Sequence, residues 1–266
     1  MKLLLFALLS LSSFQALAFD HQPWDQLLKN HVSYLNGGQQ STVDYQGFTD
    51  DRDQLKTYLD SLSSVTRQTF DSWPTDKQLA FLINAYNAWT VELILTRYPD
   101  IDSIRDFGSF FGLLSSPWKK EFIPLLEETR SLDNIEHDMI RGTERYREPR
   151  IHFAVNCASI GCPALRNEAF TAEKLEQQME EQTRLFLADR SRNHVDNNTL
   201  FVSKIFDWYR EDFEKGWKGY HSLEDFLLDY ADALALEQDQ KTRLANKNMR
   251  IRFTDYNWAL NDIQKP

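Results

Sequence analysis

Cysteine is scarce in this sequence, because the chain of 266 residues contains only two. So few cysteines cannot form a disulfide scaffold, and the hydrophobic core therefore has to hold the fold together. Long apolar runs are also missing: the run at residues 3–9 is too short to span a bilayer as a helix, which needs roughly 20 apolar residues. With 42% hydrophobic and 26% charged residues, the composition is that of an ordinary globular protein.

Basic residues are outnumbered by acidic ones. Lys and Arg number 30 against 40 Asp and Glu, which gives a formal net charge of −10. Nucleic acids bind to a basic face, and no Lys/Arg cluster here is long enough to supply one. We therefore expect no nucleic-acid partner, and the acidic balance by itself mostly indicates solubility.

The first 18 residues have the pattern of a secretory signal peptide. Lys2 gives the charged start, residues 3–9 the apolar centre and Ala16-Leu17-Ala18 the small-residue end. Cleavage there would leave Phe19 as the new N-terminus. The sequence therefore predicts a periplasmic or secreted protein comprising residues 19–266, with no transmembrane span once the signal is removed.

Apolar residues at helical spacing dominate the rest of the chain, and no hydrophilic linker divides it. Short extended segments are predicted at residues 122–126, in a hairpin at 195–202 and in a terminal strand at about 250–260. One helix-rich α+β domain with a small, mostly antiparallel sheet is the simplest organisation, and a papain-like layout would fit it.

An interior helix is predicted from a capping box at Thr75 to about Arg97, because its residues are apolar on most sides. Asn84 and Asn87 lie inside this helix, one turn apart. A buried amide that makes no hydrogen bond costs roughly 1–3 kcal/mol, so both side chains need partners. We interpret them as tying the helix to loop carbonyls, in preference to a catalytic role.

Both cysteines lie in one stretch, residues 150–165. Ile151, Phe153 and Val155 alternate with other residues, and this spacing predicts a strand that ends at Cys157. Small residues and Pro163 follow, and they predict a shaped loop. Loops of this kind carry function more often than strands do.

A helical stripe directs a carboxylate toward the core. Glu136 lies four residues from an apolar residue on either side, so the pattern points it inward. The apolar residues of the stripe are Leu132, Ile135, Met139 and Ile140. A buried carboxylate is unusual unless it is paired, protonated or used, and an ion pair with Arg150 or Arg141 and a functional role both remain open. His137 lies at the edge of the stripe, with Asp133 one turn earlier to orient its ring.

Four segments in order resemble the family catalogued as domain of unknown function 547. They are residues 82–88, 132–137, 149–159 and 205–209. The resemblance covers roughly residues 71–213, and residues 256–261 are similar to the family's ending. It implies no activity, but it marks the positions on which the family pattern is built: Asn84, Asn87, Glu136, His137, His152, Asn156 and Cys157.

A thiol-dependent hydrolase or transferase acting on an acyl or peptide bond is the first hypothesis. Cys157 would be the nucleophile, His137 or His152 the base and Glu136 or an asparagine the orienting group. His152 and Cys157 would lie roughly 16 Å apart in an extended chain, so they can meet only if the chain reverses. Cys157, His194 and Asp196 also follow one another in the order Cys, His, Asp of papain-like enzymes, but the resemblance does not mark His194 or Asp196.

Three non-hydrolytic alternatives stay open. A disulfide between Cys157 and Cys162 would suit an oxidising compartment and contribute roughly 2 kcal/mol, and it is slightly preferred over a free thiol. A zinc site could use His137, His152 and the thiols near Glu136, although the spacing matches no paired-ligand motif and no ligand set is assigned. The aromatic residues 107–118 could instead line the groove of a ligand-binding or scaffold domain. Cofactor and partner are not indicated.

Overall fold

The structure, a computed structural model, describes residues 19–109 and 116–265. The predicted signal segment, residues 1–18, lies outside the described residues, as does the middle of the aromatic stretch 107–118. Helices dominate and the strands form small sheets, so the predicted helix-rich α+β class is confirmed. Within the described residues, no helix has the length and apolar character needed to cross a membrane.

Most helices and all strands are short. In chain order, the α-helices are α1 Gln22–His31, α2 Tyr45–Asp50, α3 Arg52–Ser63, α4 Arg67–Asp71, α5 Thr75–Leu95, α6 Asp106–Ser109, α7 Leu175–Ala188, α8 Ile205–Trp208, α9 Leu223–Asp229 and α10 Gln238–Ala245. The strands are β1 Val32–Leu35, β2 Gln40–Val43, β3 Ile123–Leu125, β4 Glu128–Arg130, β5 His194–Asp196, β6 Thr199–Val202 and β7 Arg250–Phe253. A π helix spans Asn134–Arg141, and 3₁₀ turns span Asn36–Gly38, Pro117–Lys119, Pro149–Phe153, Arg210–Phe213 and Trp217–Gly219.

Helix α5 is the interior helix that the sequence predicts. Most of its side chains are buried, and α2, α3 and the π helix pack against it in the larger of two hydrophobic clusters, which α1 joins through α2 and α3. The predicted capping box is wrong: Pro74 is the N-cap, and no side chain caps the helix. Pro74 has an extended ψ of 152°, so Thr75 is the first residue of the helix. An N-cap residue precedes the first residue of its helix, and the Thr75 side chain therefore cannot act as the cap.

The strand predicted before the cysteines is wrong. Residues Pro149–Phe153 form a 3₁₀ turn, and the Glu148 side chain caps it by accepting a hydrogen bond from the Arg150 backbone N–H. Proline fixes φ at a helical value, and the cap stabilises the turn it opens. The alternation of residues was misleading because this segment is buried on all sides, including Ile151, His152 and Ala154.

The strands form three separate small sheets in place of the single sheet predicted, and they are mostly antiparallel, as predicted. β1 pairs with β2, β3 with β4 and β5 with β6, all antiparallel, and β7 adds to β6 in parallel. Asn197 and Asn198 have φ values of 44° and 63°, which is the left-handed geometry of a tight hairpin turn. β7 ends at Phe253, earlier than the predicted 260.

The chain that follows β7 lies against the cysteine loop, residues 157–162. Ile160 and Gly161 donate backbone hydrogen bonds to the carbonyls of Ala259 and Asn257, at 2.9 and 2.8 Å. A Cβ at Gly161 would lie 2.8 Å from the Tyr256 ring, so only glycine permits this approach. The contact brings Tyr256 and its neighbours to the cysteines.

Candidate functional site

The two asparagines of α5 hold two loops against the helix. Asn84 donates to the Phe170 carbonyl at 2.7 Å and accepts from the Phe170 N–H at 3.0 Å. Asn87 donates to the Ala154 carbonyl and accepts from the Asn156 N–H, both at 2.9 Å. Each side chain thus pairs with the backbone as a neighbouring strand would. The interpretation that these amides tie the helix to loop carbonyls is confirmed.

Asn156 and Arg192 fix the shape of the cysteine loop. Asn156 donates to the Pro163 carbonyl at 2.7 Å and accepts from the Ala158 N–H at 2.8 Å. Arg192, which is paired with Asp189, donates to a series of loop carbonyls. These carbonyls belong to Ile160, Gly161 and Cys162. The sequence analysis missed Arg192, because a single arginine after a helix carries no signal for a partner 30 residues earlier.

The two cysteines form a disulfide, as one of the sequence hypotheses predicted. The Tyr256 hydroxyl lies 3.2 Å from Cys157 Sγ and 3.1 Å from Cys162 Sγ. Ser159 Oγ lies 3.1 Å from the same hydroxyl. The chain therefore has no free thiol in this state, because it contains no other cysteine.

Glu136 points inward as predicted, with only 5% of its surface exposed. It lies in the π helix, a wide helical turn that is often found at functional sites. Burial is the main cause that raises the pKa of Tyr86 and of Tyr209 well above the usual value, and the negative charge of the nearby Glu136 carboxylate raises both further. The ion-pair alternatives are wrong: Arg150 pairs with Glu148, Glu176 and Glu180, and Arg141 pairs with Asp212.

His152 and Asp212 form a buried pair. His152 Nε2 lies 2.8 Å from Asp212 Oδ2, and the imidazole stacks on the Tyr209 ring at 4.0 Å. Burial lowers the pKa of His152 despite the neighbouring carboxylates, so the ring is neutral near pH 7. Its Nδ1 has no hydrogen-bond partner among the described residues.

Asp212 is a central residue that the sequence analysis missed. It is fully buried, and it also pairs with Arg141 and Lys215. Burial opposes its charge, but the hydrogen bonds from His152 and Arg141 outweigh that effect and hold the pKa of Asp212 well below its usual range. Its one signal in the sequence is its place between Tyr209 and Phe213, two aromatic residues one helical turn apart.

His137 is half-buried, and its ring is not oriented by Asp133, as the sequence predicted it would be. Arg141 donates a hydrogen bond to its Nδ1. Asp133 Oδ1 lies 3.7 Å from its Nε2, which is too long for a hydrogen bond. Arg141, and not Asp133, therefore orients the imidazole.

One cleft with a volume of about 240 Å³ lies beside the disulfide, Glu136 and the two histidines. All four predicted catalytic residues line it, namely Glu136, His137, His152 and Cys157. Asn84, Asn87 and Asn156 do not line it but lie behind its walls and position them. His194 and Asp196 are also absent from the lining, since they lie on β5, where His194 stacks on Phe201.

An aromatic wall lines part of the cleft. We use this name for Trp118, Trp208, Tyr256 and Trp258. Neighbouring ring centroids in the wall lie 4.5 to 5.8 Å apart, and Trp208 is 44% exposed. Exposed aromatic rings at a concave site are typical of ligand-binding surfaces.

The cleft does not contain an assembled thiol–imidazole pair. His152 is bonded to Asp212, His137 is bonded to Arg141, and neither ring hydrogen-bonds Cys157. Within residues 19–109 and 116–265, no three His, Cys, Asp or Glu side chains are placed to hold one metal ion. What the arrangement offers is a set of ring faces, one buried carboxylate and one neutral imidazole.

The fold and site thus define a helix-rich α+β domain with an aromatic-walled cleft. A family described as "Protein of unknown function, DUF547" matches residues 70–187, and this match supports the resemblance found in the sequence. No curated protein and no solved structure matches the chain. The matched segment contains α5, the π helix and the cysteine loop, whereas Asp212 and three aromatic-wall residues lie beyond it.

Proposed function

We propose that this protein binds a small organic ligand in the aromatic-walled cleft, with the Cys157–Cys162 disulfide as a structural element of that cleft. The observation that carries the proposal is that four packed aromatic rings, with Trp208 44% exposed, line the same cleft as a buried carboxylate and a buried imidazole. Pockets of this kind hold the apolar part of a ligand on ring faces and fix its orientation with a few polar groups.

Thiol-dependent hydrolysis at an acyl or peptide bond is the second candidate. It is favoured by one observation, that Cys157 lines the same cleft as His137 and His152. It requires reduction of the disulfide and movement of one imidazole toward the sulfur, since a thiolate must be formed beside its base. Ligand binding needs neither change, and we therefore prefer it.

A fragment screen by NMR tests the proposed function. Small organic fragments should perturb the indole N–H signal of Trp208 in the native protein, and the same fragments should fail to bind Trp208→Ala. Leu35→Ala is the control, because Leu35 is similarly exposed at 41% and does not line the cleft. If no fragment binding depends on Trp208, the proposal is wrong.

A double variant separates the two candidates. Cys157→Ser/Cys162→Ser removes any nucleophilic thiol but leaves the ring faces and Glu136 in the chain. Ligand binding should survive in this variant, with a moderate loss of affinity because the loop is no longer cross-linked. Hydrolysis of a thioester or peptide probe by the reduced native protein, absent from the double variant, would favour the thiol enzyme instead.

A further inference from the structure

The charged groups that line the cleft are all acidic. Asp133 and Glu136 contribute carboxylates, and no Lys or Arg is among the described residues that line the cleft. Glu136 is almost fully buried, and among the described residues no cation forms an ion pair with it, although the charge of the nearby Arg141 guanidinium attracts it. Burying a carboxylate without a direct ion pair is costly, and a positively charged ligand group beside it would lower that cost.

The ring faces of the cleft favour the same sign of charge. The face of an aromatic ring is electronegative and attracts cations, most strongly in tryptophan. This attraction already operates at the edges of the cleft, where the Arg141 guanidinium lies 4.8 Å from the centre of the Tyr209 ring and the Arg105 guanidinium 5.3 Å from that of Trp258. Neither arginine lines the cleft itself.

His152 adds a neutral acceptor. Its Nδ1 is the unpartnered polar atom of a side chain that is 2% exposed and lines the cleft. Because the other ring nitrogen is bonded to Asp212, the lone pair at Nδ1 can only accept. An acceptor there suits a ligand that carries a hydroxyl or N–H donor and does not suit an anion.

From these three observations we infer that the ligand of the cleft is an organic cation, with an alkylated ammonium group beside Glu136 and its alkyl substituents against the aromatic wall. This inference rests on the proposed binding function and names the chemical class of its ligand. A cation in an aromatic-lined, carboxylate-bearing cleft combines ring and charge attraction, which a neutral molecule of the same shape lacks.

The test compares choline with its uncharged isostere 3,3-dimethylbutan-1-ol, in which carbon replaces nitrogen. Calorimetric titration of the full chain should give a dissociation constant at least about tenfold lower for choline, the factor expected from a cation–ring interaction in a desolvated site. Glu136→Gln should reduce this difference, because only the ring faces and Asp133 then favour the cation, and it should leave the binding of the isostere unchanged. Asp239→Asn is the matched control, because it removes one exposed acidic charge that does not line the cleft.

Three further variants keep the inference falsifiable if Glu136→Gln fails to fold. Trp208→Ala and Asp133→Asn both change partly exposed residues, and each should weaken choline binding severalfold. Arg105→Gln should leave choline binding unchanged or tighter, whereas it would weaken binding of an anion.

If the isostere binds as well as choline, or if choline does not bind while neutral or anionic fragments do, the inference is wrong and the proposed binding function stands. If no fragment binds at Trp208, the proposed function itself fails.

Discussion

At the scale of single residues, the site depends on a network of buried side chains centred on Asp212. Asp212 has no solvent exposure, accepts hydrogen bonds from His152 and Arg141, and forms an ion pair with Lys215. Removal of one partner from such a network leaves the others uncompensated, which is far more costly than the net contribution of any one bond. The charges under the cleft are therefore fixed in position before a ligand arrives.

His21 is a buried histidine outside the cleft, and it should make folding stability depend on pH. Burial is the main cause that lowers the pKa of His21 from 6.5 to about 4, and its Nδ1 lies 2.8 Å from the Tyr58 hydroxyl. The folded chain therefore binds fewer protons at this site than the unfolded chain, so stability is complete above the unfolded pKa and is lost as the pH falls toward 4. The shift corresponds to about 3 kcal/mol of unfolding free energy.

Urea unfolding at pH values across that window should reveal this loss. In His21→Gln, which can keep a hydrogen bond to Tyr58, the unfolding free energy should fall by about 2–3 kcal/mol less over the same range. His152, whose pKa is also lowered, leaves a residual slope of the same sign. His221→Gln changes an exposed histidine, and equal flattening in both variants would contradict the role assigned to His21.

At the scale of elements, the cleft is a set of loops and short helices held against one rigid helix. Asn84 and Asn87 of α5 fix two loops, and Arg192 fixes the cysteine loop from the other side. Loops positioned by a buried scaffold keep their shape without regular hydrogen bonding of their own. The site therefore takes its precision from side-chain bonds to backbone.

The substitution Asn87→Ala tests this dependence. It removes two buried hydrogen bonds and leaves the Ala154 carbonyl and the Asn156 N–H unpaired, so the unfolding free energy should drop by about 2–5 kcal/mol. Urea denaturation measures the change. Asn30→Ala, which affects an exposed asparagine bonded to Gln26, should cost less than about 0.5 kcal/mol, and similar losses in both variants would contradict the bridging role.

Much of this architecture could be predicted from sequence, and the failures have physical causes. The interior helix, the inward Glu136 and the Asn-Asn hairpin follow from local spacing, which the structure keeps. The prediction of a strand before Cys157 was wrong. A fully buried segment has no polar face, so the alternation of its residues carries no information about sheet geometry. Asp212, Arg192 and Tyr256 were missed because their partners lie far away in sequence, where no local pattern extends.

At the scale of the whole molecule, the cleft is assembled from segments that span most of the chain. Tyr86 comes from the interior helix, Glu136 from the π helix, Cys157 from its loop and Trp258 from the segment after the last strand. Contacts of such large sequence separation form only when the fold is complete, so the cleft is a property of the native state alone. Destabilisation of the core should therefore weaken binding once it leaves a sizeable fraction of the chain unfolded.

Export is a further whole-molecule prediction, since the disulfide and the N-terminal pattern favour the same compartment. Expression of the full chain in a bacterial host should give a mature protein in the periplasm or medium that begins at Phe19, as measured by intact mass and N-terminal sequencing. A variant with Leu4→Arg in the apolar run should stay in the cytoplasm with its N-terminal segment intact. Cytoplasmic retention of the unaltered chain would contradict export.

The redox state of the disulfide bears on the compartment of the protein, on its stability and on the chemistry of the cleft, and thiol titration measures that state. Native protein, denatured without reductant, should show no titratable thiol, and the same sample should show two after reduction, because the chain contains two cysteines and both are bonded. Reduction opens a loop of only a few residues, for which the chain-entropy model gives a loss of about 2 kcal/mol in unfolding free energy. Hydrogen exchange should localise the loosening to residues 157–162 and to the overlying residues 256–260, while α5 keeps its protection. If free thiols are found before reduction, Cys157 is available as a nucleophile, and the thiol-enzyme candidate then takes precedence over the binding domain.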